Sequence, residues 1–175
     1  MTRLATTGEI RDGRLEGDLV LEGSGDPELD TDALGALAGA LKEAGVRGIT
    51  GKFIFDDSAL AQIDRIDGDQ PEHVGYNPAI SGLNLNFNRV HFEWKRNSGD
   101  YDVTMQARSL KFRPGVEIAR MDLVDRASPV YTYEDRGTHD QWTVARKALG
   151  KEGARWLPVR HPGAYCAETF RTLAR

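Results

Sequence analysis

LEGDLVLEGSGDPELDTDALGALAGALKEAGVRGITGKFIF, residues 15–55, decides how the chain folds. Its opening, Leu15–Leu21, is apolar-rich and reads as a strand. Leu34, Leu37, Ala38, Leu41 and Ala44 then recur at the spacing of one helical face. Asp30 or Thr31 can cap that helix, Asp32 stands in its first turn, Lys42 in its last, and Gly45 marks the stop. Ile49–Phe55 is a second strand, which runs into Asp56-Asp57-Ser58. Strand, helix and strand in this order predict a βαβ unit with parallel strands and a right-handed crossover.

Outward from this unit the texture changes. Upstream, Thr2–Thr7 reads as a strand, and Asp12-Gly13 is a hairpin signal. Downstream, IDRIDGDQPEHVGYNPAISG, residues 63–82, has no hydrophobic period and is a long loop. Leu83, Leu85 and Phe87 alternate as in a strand, and Val90, Phe92 and Trp94 continue with the other parity, so a β-bulge is expected at Asn88-Arg89. Tyr101–Ala107, Val116–Ile118, Met121–Val124, Val130–Tyr133 and Trp142–Ala148 are further β candidates. Helical spacing returns in Tyr165, Cys166, Thr169, Phe170 and Leu173, after Pro162 at a first helical position. The expected fold class is α/β plus all-β: an α/β domain with a βαβ unit and mixed sheet, residues 1–68 and 155–175, interrupted by an inserted antiparallel β domain, residues 69–154. A last helix without a terminator raises the expectation that the natural protein continues.

With 39% apolar and 29% charged residues in 175, the chain has the composition of a folded domain with a core. Its net charge of −4, with acids and bases interspersed, gives no basic stripe for nucleic acid. No apolar run has the roughly 20 residues that span a bilayer, and the first residues have no signal-peptide pattern. A lone Cys166 excludes an internal disulfide, and neither cysteine nor histidine spacing matches a metal site, so no cofactor is expected.

Ser24, in Gly23-Ser24-Gly25, lacks the Gly-x-Ser-x-Gly pattern of a nucleophile elbow and has no base near it in sequence. The acids of DPELDTD that follow would repel an anion, so the segment reads as a connector that caps the helix. Asp56-Asp57 reads as a turn rather than as general-acid material. Alternation with Phe92 predicts a solvated His91, and Asn84, Asn86 and Asn88 are expected on the solvated face of a strand. Composition and spacing give no catalytic constellation.

GRLEGDLVLEGSGDPELDTDAL, AGVRGITGKFIFDDSAL, YNPAISGLNLNFNRV and RWLPVRHPGAYCAETFRTLAR, in this order, resemble the D-alanyl-D-alanine carboxypeptidases of the low-molecular-mass class C penicillin-binding type. The resemblance is to the region inserted between the family's first and second catalytic motifs. Ser-x-x-Lys, Ser-x-Asn and Lys-Thr-Gly, which perform acyl transfer in such enzymes, are absent; Ser109-Leu110-Lys111 has its lysine one residue too close.

The resemblance implies a parent enzyme that cleaves D-Ala-D-Ala through an acyl-serine, in the periplasm or at the cell surface. It also implies that β-lactams bind only where the missing catalytic domain is present. For this chain it implies accessory domains without turnover, the alternative being a free-standing module that binds peptidoglycan or a protein of the envelope. The same resemblance makes Glu72 and Tyr76, in QPEHVGYNPA, candidates for the substrate's side-chain amine: a carboxylate pairs with the ammonium and a ring flanks its stem. Where relatives often read Asp-Pro, this chain has His161-Pro162. Oligomeric state is left open.

Overall fold

A computed structural model describes residues 1–175. In chain order its elements are β1 (Arg3–Thr6), β2 (Ile10–Arg11), β3 (Arg14–Leu15), β4 (Leu19–Glu22), α1 (Thr31–Glu43), β5 (Gly48–Ile49) and β6 (Phe53–Asp56). These are followed by β7 (Arg89–Asn97), β8 (Asp100–Gln106), β9 (Ala119–Val124), β10 (Tyr131–Asp135), β11 (Asp140–Ala145), β12 (Glu152–Pro158) and α2 (Pro162–Ala174). The architecture is four small sheets, two of them mixed within the first 56 residues, with two long helices.

β4 is the centre of the first sheet, antiparallel to β1 and parallel to β6, with Leu19 opposite Phe53 and Glu22 opposite Asp56. α1 lies in the chain between the two parallel strands. The Asp30 carboxylate caps it by accepting from the Ala33 N–H at 2.8 Å. Leu34 and Ala38 are its buried positions, as the period requires. α2 starts at Pro162, packs against α1, and stacks Phe170 on Phe53 with ring centroids 5.4 Å apart.

The glycines flanking Ser24 have a packing reason. A Cβ on Gly23 would lie 2.2 Å from the Gly82 carbonyl oxygen, and Gly25, at φ +75, donates its N–H to the same oxygen at 2.7 Å. The stretch is a seam between two backbones.

In the middle of the chain, β12, β7 and β8 form an antiparallel sheet, in which Trp156 faces His91 and Phe92 faces Met105. The second sheet corrects an expectation: β10 is antiparallel to β11, but β11 runs parallel to β9, with Trp142 opposite Met121. The region is mixed rather than antiparallel, because the chain from β9 to β11 passes through β10 and re-enters beside β9 in the same direction. β12 was not anticipated, since EGARWLP alternates weakly; residue 155 falls inside it. β11 ends at Ala145, short of the expected Ala148, where a turn of 3₁₀ helix begins. One continuous apolar cluster, from Leu15 and Leu34 through Phe92 and Trp142 to Tyr165 and Phe170, joins the two parts.

The segment around Asn86 departs most from the sequence reading. Leu85–Asn88 is a tight turn, not a strand, and Asn86, Phe87 and Asn88 are consecutive left-handed residues at φ 52, 57 and 51. A left-handed backbone sends Leu85 into the core and turns Phe87 out, 59% exposed, although both fit the same alternating pattern. The three asparagines are buried, not solvated. His91, expected in solvent, is only 8% exposed because Trp156 packs edge-on against it at 4.9 Å.

Candidate functional site

Asparagine tolerates the left-handed region better than other side chains with a Cβ, and its amide can both give and accept. Asn86 uses both capacities. Its oxygen accepts the Thr31 N–H at 3.2 Å, and its amide donates to the Thr31 hydroxyl at 2.9 Å and toward the Tyr165 hydroxyl at 3.4 Å. The Asn88 amide donates to the Ala79 carbonyl at 2.9 Å and to Asn84 Oδ1 at 2.7 Å. Tyr165 donates in turn to the Arg89 carbonyl at 2.9 Å. Burial pushes its phenol well above the ordinary value, so it stays a donor. These bonds hold three consecutive left-handed residues in place, of which Phe87 is strained, and tie the turn to both helices.

The turn forms one wall of a cleft of about 510 Å³. Phe87, Arg89 and Asn84 line it together with Leu60, Ile66 and Tyr76. Its lining is largely apolar, and four of those side chains are conspicuously open: Leu60 43%, Ile66 57%, Phe87 59% and Tyr76 68% exposed.

Arg160, buried to 7% exposure, holds the loop that carries Tyr76. It donates to the carbonyls of Asp64 at 2.9 Å, Asn77 at 2.6 Å and Glu72 at 2.9 Å. Asn77 adds a reciprocal pair with the Asp67 backbone at 2.9 and 2.7 Å. Behind Arg160 stands Asp140, with no exposed surface, accepting the Arg160 N–H at 2.9 Å and the Tyr133 hydroxyl at 3.0 Å. Burial raises the Asp140 carboxyl above its ordinary value, opposed by those bonds and by the charges of His161 and Arg160. The same burial, with the neighbouring carboxylate, holds the Tyr133 phenol protonated.

The two candidates from the sequence fall differently. Tyr76 lines the cleft, its hydroxyl donating to Gln70 Oε1 at 3.2 Å. Glu72 does not line it; its carboxylate lies 3.6 Å from Arg65 Nη2, and its carbonyl is held by Arg160. Phe87 and Arg89 were missed. The signal that could have found them is the Asn-x-Asn-x-Asn spacing ahead of Arg89, since asparagines at alternate positions favour left-handed turns as much as a polar strand face.

Ser24 is exposed, and its hydroxyl makes no hydrogen bond to a histidine or lysine. Ser109 donates to Asp30 at 3.1 Å and Ser81 to the Leu83 carbonyl at 3.1 Å. Asp56 accepts the Ser58 N–H at 2.9 Å, a turn bond that, with the Ser58 hydroxyl, lowers its carboxyl. One hydroxyl–imidazole contact exists, Thr138 to His139 Nδ1 at 3.0 Å, between adjacent residues in the turn joining β10 to β11. No third group orients that imidazole.

Comparison with known proteins places the chain. The model of the D-Ala-D-Ala carboxypeptidase 3 (S13) family matches residues 1–172, and the chain belongs to that family. It is 29% identical over 103 residues to the D-alanyl-D-alanine carboxypeptidase DacB of Haemophilus influenzae, a match covering 57% of this chain and 22% of that protein. The crystal structure of penicillin binding protein 4 (dacB) from the same organism superposes with a TM-score of 0.65 at 22% identity, over 99% of this chain and 40% of the other. Its complex with a novel β-lactam gives 0.61 at 20% identity, over 99% and 38%. The fold is shared, and the chain spans about a fifth of the curated relative and two fifths of the solved structures.

Proposed function

We propose that this chain is the non-catalytic accessory region of a serine-type D-Ala-D-Ala carboxypeptidase that acts on peptidoglycan in the periplasm or at the cell surface. The parent protein hydrolyses D-Ala-D-Ala through an acyl-serine intermediate supplied by a separate catalytic domain. One observation carries this reading: a family match across residues 1–172 coincides with the absence of Ser-x-x-Lys, Ser-x-Asn and Lys-Thr-Gly. Residues 1–68 and 155–175, around a β4–α1–β6 crossover, form the α/β part, and residues 69–154 the β part, of a body folded on one core. Tyr76, open in the cleft, supports a substrate-facing role for its loop. In this reading Glu72 exchanges its exposed Arg65 partner for the substrate's ammonium, a swap that costs little because surface ion pairs contribute about 0–1 kcal/mol.

Fluorescent penicillin tests the central claim. The purified chain acquires no covalent label under conditions that label an intact penicillin-binding protein. A stable adduct on any of its serines or threonines, found by mass spectrometry, refutes the accessory reading.

A further inference from the structure

Beyond the apolar cleft, across Tyr76 and Arg89, lies a second depression of about 430 Å³ whose lining includes both residues together with Arg155 and Trp156. No aspartate or glutamate lines it. Its two arginines have no carboxylate partner within ion-pair distance, whereas Arg65, on the neighbouring loop, lies 3.6 Å from Glu72.

Both guanidiniums lie against aromatic rings instead. The Arg89 guanidinium carbon is 5.1 Å from the centroid of Phe87 and 5.2 Å from that of Trp156, and that of Arg155 is 5.0 Å from the centroid of Tyr131. A guanidinium stacked on its faces keeps its N–H edge free, and that edge matches a carboxylate in two parallel bonds. The Arg89 edge has no partner except a long contact from Nε to the Asn86 carbonyl at 3.5 Å. The left-handed turn explains the arrangement: it swings Phe87 outward, beside Arg89, while β12, paired with β7, brings Trp156 to the same guanidinium.

We propose that Arg89, assisted by Arg155, is a carboxylate-binding site for a ligand whose flat or apolar stem lies along Tyr76 and Phe87 toward the larger cleft. The occupant is the terminal carboxylate of an acylated amino acid or short peptide. Charge selects its head, since two unpaired cations line the depression. The apolar lining of the adjoining cleft selects its stem. The site makes no use of the catalytic motifs discussed above, so it stands whether or not the accessory reading holds.

The test uses the full 175-residue chain, labelled with ¹⁵N, titrated with N-acetylphenylalanine, its neutral amide, and inorganic phosphate, with the Arg89 Nε–H and Trp156 indole signals as readout. The carboxylate is expected to saturate both signals. The amide should bind about tenfold more weakly or not at all, as the loss of a charged hydrogen-bond partner implies. Phosphate, lacking the stem, should be weaker than the carboxylate. Arg89→Met should abolish the response with the fold intact by its amide spectrum, and Arg89→Lys should recover only part of it; Arg155→Met, whose stack is remote from Phe87, tests the assisting charge without touching the turn. Equal response to acid and amide, equal response to phosphate and the acid, or unchanged binding in a folded Arg89→Met variant overturns the proposal.

Discussion

Replacing Arg160 by methionine asks how firmly the cleft is held. Methionine keeps much of the stem and removes three donors, so the carbonyls of Asp64, Glu72 and Asn77 lose charge-assisted bonds of 2.9, 2.9 and 2.6 Å. Each such bond contributes about 1.5–3 kcal/mol, but one guanidinium makes all three, and they do not add. Removing it also takes a favourable charge from the fully buried Asp140. Breaking a buried charged cluster costs about 3–5 kcal/mol, a large share of the 5–15 kcal/mol typical of a domain. For a chain of this length that is a fall in Tm of about 6–20 °C.

Urea unfolding followed by tryptophan fluorescence measures the loss, since Trp142 is wholly buried beside Tyr133. Trypsin cleavage after Arg65 in the native state separates local from global effects: if the loop peels off first, cleavage accelerates before the midpoint moves fully. Arg160→Lys should lose about half as much, because a compact ammonium cannot span three carbonyls. A shift below about 1 kcal/mol in Arg160→Met, with Arg65 still protected, would show that the loop is held by something other than this clamp.

Two further outcomes follow from particular side chains. Burial, then the charges of Arg108 and Arg113, hold the His91 imidazole below its usual value of 6.5 against the opposing pull of Glu93. The folded chain therefore binds fewer protons than the unfolded one between that lowered value and 6.5, and stability rises with pH across this window and levels off above it. His91→Gln should flatten the rise in unfolding midpoint, leaving a remnant from His73, which burial and Arg155 also lower; an unchanged slope excludes His91 as its source. Phe87→Gly removes a side chain from a left-handed position that costs an L-residue about 1–2 kcal/mol. The variant should be no less stable than the parent yet lose carboxylate binding at Arg89, and a destabilised variant that still binds contradicts the role given to the turn.

What could be read in the sequence follows the range of the interactions. α1 announced itself because cap, apolar period and terminal charges are local and agree, and the structure places its cap at Asp30. The parallel pairing of β9 with β11 joins strands separated by β10, and nothing in ARMDLV or DQWTVA encodes a direction. At LNLNFN the alternation was real but had two solutions. A strand and a chain of left-handed residues both send Leu83 and Leu85 inward, and only the partners of Asn86, 55 residues upstream at Thr31 and 79 downstream at Tyr165, select the second. Resemblance pointed to Tyr76, which the structure places in the lining of the cleft; nothing local pointed to Arg89, because its isolation from acids is a fact of three dimensions.

The cost of the turn bears on why it exists. Of the three consecutive left-handed residues the two asparagines tolerate this region, but phenylalanine there costs about 1–2 kcal/mol, and a β-strand through the same apolar pattern would avoid it. The asparagine bonds make the turn stable but do not require Phe87, whose ring is mostly in solvent and whose position glycine or asparagine would fill with less strain. Packing of the core is satisfied by Leu83 and Leu85, both fully buried. The consequence specific to Phe87 is the ring it sets against Arg89, whose guanidinium also lies against Trp156. Strain beside an open cleft, with an unpaired guanidinium at its edge, is better explained by what that edge binds than by the stability of the fold.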